Sequence, residues 1–319
     1  MISRRHFGRI AVAGFPALKV AAAVDSSYRG VRLGAATSSF RDFPRTPGQD
    51  NVDAVIAGLK ACGAGEAELF SSNMEPAGQP LLPLPPPPYG MPREPGPADT
   101  ERQEAQDRAN REDLRKWRLD TPAAHFEGVR RKFDGAGIRL VAVAFDYGEF
   151  ADDEIDATFR QAKALGAEAI TASATIAMAQ RLAAFAGRHQ MKVALLGHSQ
   201  VNGPDQLAGP ESFAKALAFS TWFRIALDIG HFTAANGDAV AFIRERHERI
   251  AHLHVTDRKK NGGANESFGE GDTPINEALQ LLQREKYPIP ALVEYEYTGL
   301  RTSQDEVKRC LDYMRSALG

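Results

Sequence analysis

Four segments late in the chain place ionisable side chains where a short apolar run ends: "LLGHSQ" with His198, "LDIGHF" with Asp228 and His231, "AHLHVTD" with His252, His254 and Asp257, and "LVEYEY" with Glu294 and Glu296. An earlier run, "EAELFSS", contains Glu68. Alternate side chains of an extended strand share a face, so His252 goes with His254 and Glu294 with Glu296. Burying one unpaired carboxylate costs several kcal/mol, and a group of carboxylates and imidazoles becomes tolerable when a cation neutralises it. Two carboxylates with one or two imidazoles, and no cysteine nearby, form a borderline donor set that suits a divalent Mn, Zn, Co, Fe or Mg ion. Each residue alone has a plainer reading. A strand histidine is more often a hydrogen-bonded core residue, Asp228 suits the cap of a following turn, and Asp257 beside "RKK" suits a surface ion pair. Those readings do not account for four successive runs ending this way.

The elements that must carry these residues repeat along the chain. Short apolar runs begin at Val31, Glu66, Ile138, Ala167, Lys192, Phe223, Ile250 and Pro290, and amphipathic helical stretches lie between them. Several helices are expected to end just before a glycine, at Gly63, Gly166 and Gly187. Strands that are apolar throughout and alternate with helices form a parallel sheet with a covered outer face, and eight of them close into a (β/α)8 TIM barrel. An open doubly wound sheet is the alternative, but no glycine-rich phosphate loop follows the first strand. In such a barrel the chemistry sits at the carboxyl ends of the strands, where the polar residues above fall.

One such barrel can take up most of the 319 residues. The formal net charge of -2 provides no general attraction to nucleic acid or to an anionic membrane. Two cysteines, Cys62 and Cys310, on separate helical stretches imply neither a disulfide framework nor a thiolate zinc site. Residues 1–23 begin "MISRRHF", continue with an apolar run from Ile10 to Leu18, and end in small residues. This is the order of a twin-arginine export signal, too short in its apolar part for a stable membrane anchor, so the expected location is the periplasm and the barrel is expected over residues 24–319. Residues 78–117, after the second strand, break the pattern. Their proline-rich half reads as extended polyproline, and the charged half from Asp99 onward as a helix, so the segment is an insertion in the barrel. The oligomeric state has no signature in the sequence.

In "DIGHF", "HLHVTDRKKN", "FGEGDTPI" and "VEYEY", taken in this order, the chain resembles the xylose isomerase-like barrels of the sugar phosphate isomerase/epimerase family, in their exported, twin-arginine branch. The resemblance covers essentially the whole chain after the amino-terminal segment. It implies a small-molecule carbohydrate substrate and a divalent metal held by four residues, one each from strands five to eight. Carried over, the ligands are Asp228, His254 and Glu294, with His231 beside the metal in contact with substrate. At strand five the relatives have Glu or His, whereas this chain reads Leu196-Gly197-His198, so His198, two residues on, is the expected substitute ligand. Lys259, Glu296 and Glu68 are further candidates for contact with the sugar.

The resemblance also implies proton abstraction next to a carbonyl, with Glu294 as base and His231 or His198 moving a proton. Two other functions fit the same residues: a metal-assisted lyase or hydrolase acting on a keto-glycoside, and a non-catalytic sugar-binding barrel. Endonuclease relatives acting on abasic DNA need more metal ligands and a cationic groove, which the chain does not offer.

Overall fold

The computed structural model describes residues 24–80, 97–199 and 205–319; the expected export segment and the proline-rich residues 81–96 lie outside the described residues. Among the described residues, eight parallel strands close into a barrel: β1 (Val31–Ala36), β2 (Glu66–Phe70), β3 (Arg139–Asp146), β4 (Ala169–Ser173), β5 (Val193–Leu196), β6 (Phe223–Asp228), β7 (Ile250–Val255) and β8 (Ala291–Val293). Neighbours in sequence are neighbours in space, and β1 pairs with both β8 and β2 to complete the ring. No helix of the described residues is long and apolar enough to cross a membrane.

The strands close because each has one face for the helices and one for the barrel interior. On β1 the outward Val31, Leu33 and Ala35 are at most 1% exposed. Burial of each large side chain of this kind contributes roughly 1.5–3 kcal/mol. The inward Gly34 has no room for a side chain, since a Cβ there would lie 2.0 Å from the Glu66 carbonyl oxygen. Ala142, Ala169, Ala194 and Ala226, from four successive strands, pack together as a buried apolar cluster against Leu196 and Ala251. These small side chains fill the narrow interior. Registers Asp228↔His254 and Ser173↔Leu196 then bring the polar residues of adjacent strands to one level of the barrel.

Three local expectations are revised. The β8 ladder ends at Val293, so Glu294 and Glu296 stand on the rim beyond it; the Tyr295 N–H is taken by the Ser39 hydroxyl at 2.9 Å instead of a strand carbonyl. Gly187 does not end its helix. That helix, Ile176–His189, runs two residues further and ends at Gln190, which takes the left-handed conformation (φ 50°). The extra residues are held by His189, stacked on Phe159 with its Nε2 2.7 Å from Asp156. Gly63 and Gly166 do cap their helices with positive φ. Finally, besides the four-residue helix Ser71–Met74, two long helices rather than one separate β2 from β3 among the described residues. These are α1 (Pro97–Asp120), which includes the charged half of the insertion, and α2 (Ala123–Ala136), which follows at once. The first is pinned by Arg118, whose guanidinium holds Glu75 through two bonds (2.6 and 3.1 Å) and also reaches Glu154.

Candidate metal centre

Asp228 is the last residue of β6 and the N-cap of the short helix Ile229–Ala234. Its Oδ1 accepts the His231 backbone N–H at 2.6 Å and the Thr256 hydroxyl at 2.7 Å. Thr256 comes this close because Gly230 faces it, where a Cβ would lie 2.1 Å from the Thr256 Oγ1. The capping role is therefore real, but it occupies one oxygen only. Oδ2 is buried with no hydrogen-bond partner. Such an atom costs free energy unless something else meets it.

What lies near it is His254 and Glu294. One ligand-capable atom from each of Asp228, His254 and Glu294 can be chosen so that all lie within 4.8 Å of one another. His254 Nδ1 is 2.8 Å from Glu294 Oε2, and Glu294 Oε1 accepts the Ser38 hydroxyl at 3.0 Å. The other ring nitrogen, Nε2, is 2.9 Å from Glu68 Oε1. Neither imidazole nitrogen completes a hydrogen bond of good geometry in this arrangement. Orphaned buried atoms on Asp228 and His254, converging with a carboxylate, fit a divalent cation held by two oxygens and one imidazole nitrogen.

The charges of the site depend on one another. Burial pushes the Asp228 carboxyl above the ordinary aspartate value, with Glu294 and Glu296 adding to the shift and His231 opposing it. Burial alone would lower His254, but the Glu68 and Glu294 carboxylates raise it well above an ordinary histidine. Glu68 shows the converse: burial favours its neutral form, yet His254 and His252 hold it below the usual carboxylate range. A metal-free cluster thus keeps a proton on His254 between two carboxylates.

The structure distributes the other sequence candidates around this group. Glu68 is 2% exposed and lies behind His254, with its Oε2 3.1 Å from His252 Nε2 and a short hydrogen bond from the Thr171 hydroxyl. His231 stands at the rim with Nε2 3.5 Å from Glu296 Oε2. Its Nδ1 faces two donors, Arg258 Nη1 at 2.7 Å and the Ser199 backbone N–H at 3.2 Å. Neither can accept, so Nδ1 is the acceptor and the proton of the neutral ring sits on Nε2. His198 is not among the converging donors; its Nε2 lies 2.6 Å from the Ser173 hydroxyl and its ring packs edge-on to His231. Burial and the neighbouring His231 lower its pKa. The expected cationic contact, Lys259, is exposed and donates to the Glu270 carbonyl, while its neighbour Arg258 reaches inward. Asp257 is no surface ion-pair partner: it is buried and accepts the backbone N–H groups of Gly269, Gly271 and Thr273, ordering the loop after β7.

Sequence reasoning passed over Ser38, Ser173 and Thr256. Thr256 follows His254 by two residues on the same face, so strand alternation offered a signal for it. The others act through loops or a neighbouring strand, where spacing carries no such information.

Comparison with known proteins follows this geometry. A family model described as a xylose isomerase-like TIM barrel matches residues 101–317. No curated protein matches the chain. Solved structures similar to it include a probable 3-DHS dehydratase, AsbF, from Bacillus anthracis (13% identity, 88% of this chain and 98% of that one, TM-score 0.57). The IolI protein, with a binding zinc atom, aligns at 13% identity over 90% and 98% of the two chains with a TM-score of 0.56. The 3-keto-D-glucoside 4-epimerase YcjR from E. coli aligns at 12% identity over 90% and 99%, also at 0.56. At these identities the likeness is one of fold.

Proposed function

This chain belongs to the xylose isomerase-like TIM barrel family, and from that membership we propose that it is a divalent-metal-dependent enzyme of the sugar isomerase/epimerase type, removing a proton next to a carbonyl of a carbohydrate. The observation that carries the proposal is the buried Oδ2 of Asp228, without a hydrogen-bond partner and grouped with His254 and Glu294. The zinc of the similar IolI structure supports a cation in this barrel type. Asp228, His254 and Glu294 would hold the ion, and when bound it would supply a Lewis acid that polarises the substrate carbonyl and lowers the acidity barrier at the adjacent carbon.

The chain's own groups do the rest. Glu294 is 15% exposed on its side chain and steadied by Ser38, so it is a carboxylate at the mouth able to accept a carbon-bound proton. His198 projects from just beyond β5, three strands away around the ring, with its Nε2 on the Ser173 hydroxyl. A neutral imidazole there can return or remove a proton on the side of the substrate away from Glu294. His231 presents an Nε2–H donor, fixed by Arg258, to a substrate oxygen. The twin-arginine pattern of residues 1–23 supports work in the periplasm on an unphosphorylated sugar.

A second reading keeps the proton abstraction and changes the outcome. Leu196 occupies the level of β5 where the relatives carry a ligand, and it packs against the alanines of the barrel interior. With no carboxylate on β5 across from Glu294, loss of a leaving group from a keto-glycoside after one abstraction competes with reprotonation. Proton NMR in D2O separates the two outcomes. Keto sugars and keto-glycosides incubated with the metal-loaded enzyme should exchange the hydrogen next to the carbonyl for deuterium, and a free aglycone appears only in the lyase case. Elemental analysis of the wild type and of Asp228→Ala should find the ion in the first and lose it in the second. A wild-type protein that remains empty after metal supplementation overturns the reading.

A further inference from the structure

The carboxylate of Glu68 is 2% exposed and touches three side chains. Oε1 is 2.9 Å from His254 Nε2, Oε2 is 3.1 Å from His252 Nε2, and the Thr171 hydroxyl donates to it. His252 and His254 are themselves 0% and 1% exposed, so no solvent competes for these contacts. The sequence suggested that Glu68 meets the substrate, but His254 stands between it and the Asp228–Glu294 group. We infer that Glu68 is a positioning residue for the metal centre: it holds the proton of His254 on Nε2 and thereby leaves the Nδ1 lone pair for the ion.

This rests on the metal reading above and adds a constraint that the three ligands do not provide. A neutral imidazole carries one N–H, and an ion can be bound only by the nitrogen without it. Nδ1 faces Glu294 at 2.8 Å and Nε2 faces Glu68 at 2.9 Å, so in the metal-free protein a carboxylate beside each nitrogen favours a proton on both, and metal binding has to remove one of them. Glu68 would decide which, because with Glu294 committed to an ion the remaining carboxylate partner of the ring would be on the Nε2 side. Thr171 and His252 keep that carboxylate from turning away. A carboxylate behind a ligand imidazole also makes it a stronger donor, and loss of such a partner typically weakens metal binding about 10–100-fold.

Uptake of Co2+ alone tests this, read by competition with a chromophoric chelator and by the visible absorption of the bound ion. Glu68→Gln keeps the shape and still accepts a proton from His254, but removes the charge. The expected result is a folded variant that binds Co2+ on the order of tenfold more weakly with shifted absorption bands, and Glu68→Ala weakened further, toward a hundredfold. A folded Glu68→Gln protein with wild-type affinity and bands overturns the inference. Should that variant not fold, Thr171→Val removes only the hydroxyl that anchors Glu68 and is judged by the same two readouts. Two Co2+ ions per wild-type chain, one of them lost in Glu68→Gln, also overturn it, since Glu68, His252 and His254 would then be ligands themselves. A wild type that takes up no Co2+ defeats the metal reading as a whole, whereas one that binds Co2+ no better than the variant defeats only the role of Glu68.

Discussion

His198 is committed to Ser173, its Nε2 2.6 Å from the serine hydroxyl, and so does not complete the ligand set of Asp228, His254 and Glu294. The strand-five ligand position of the relatives is left to the apolar Leu196, which packs on the barrel interior. The group able to hold a metal ion then has three protein donors. Leu196→Glu should add a fourth donor, a third oxygen, and raise metal affinity on the order of tenfold. Without metal the same change adds a partly buried carboxylate and should lower the melting temperature. Thermal unfolding with and without added ion checks both: the gap between the two melting temperatures widens in the variant.

Proton transfer should depend on the same histidine in a way that metal binding does not. With His198 held by Ser173 and outside the ligand group, His198→Gln is expected to retain the metal and lose kcat by about 100-fold, the low end of general acid–base effects. Ser173→Ala leaves the imidazole in place but unsteadied and should show a smaller loss. Metal content by elemental analysis, measured beside the rate of deuterium incorporation into substrate, separates these roles. A His198→Gln protein that loses its metal would make His198 a ligand after all.

Much of this centre was legible in the sequence because it is built on strands. Alternation puts His252 and His254 on one face and the polar ends of successive strands meet at one barrel mouth, while the choice of Asp228, His254 and Glu294 among those residues came from the resemblance to the family. The rest depends on distances that one chain segment does not encode. Ser38 reaches Glu294 from the short 3-10 turn after β1, across 256 residues of sequence, and Glu68 meets His254 across the ring of strands. Arg258 and Lys259 are adjacent cations in one loop, and only the fold decides that the first turns inward to His231. Gly187 shows the converse limit: a local helix-end signal was overridden by the tertiary contacts of His189.

The insertion helix α1 is joined to the barrel by charge, and this makes a stability prediction. Arg118 is 12% exposed on its side chain and pairs with Glu75 and Glu154, which are 5% and 7% exposed. Its guanidinium also lies 4.2 Å from the centre of the Phe150 ring. Arg118→Ala takes a cation from two buried carboxylates, Glu75 and Glu154, of which Glu154 keeps Arg115 at 3.1 Å; breaking such a buried pair costs about 3–5 kcal/mol in comparable sites. Arg118→Ala/Glu75→Gln should recover part of the loss, because one of those charges is then gone. Urea unfolding of the wild type and the two variants gives the comparison, with the double variant expected between the other two.

The proton on His254 connects pH to both stability and metal uptake, with opposite signs. Burial opposes that proton, but the Glu68 and Glu294 carboxylates raise the ring well above its unfolded value of roughly 6.5. A raised value means that the stabilisation is fully present below that unfolded value and is lost as pH rises through the folded one. Asp228, raised by burial, contributes in the same direction. Glu68 is held below the ordinary carboxylate range by His254 and His252 against its burial, so its contribution is present above its unfolded value of roughly 4.3 and is lost as pH falls through the folded one. Chelator-treated protein should therefore melt at a progressively lower temperature as pH rises above about 6.5. Metal binding reverses the trend, because the ion must displace the His254 proton and its affinity grows as that proton leaves more readily. Circular dichroism melts across this range, beside calorimetry of metal binding in two buffers of different ionisation heat, measure the two slopes and the protons released. A metal-free melting temperature that climbs through this window would mean that His254 carries no shared proton, and the electrostatic account of the centre would have to be rebuilt around a neutral ring.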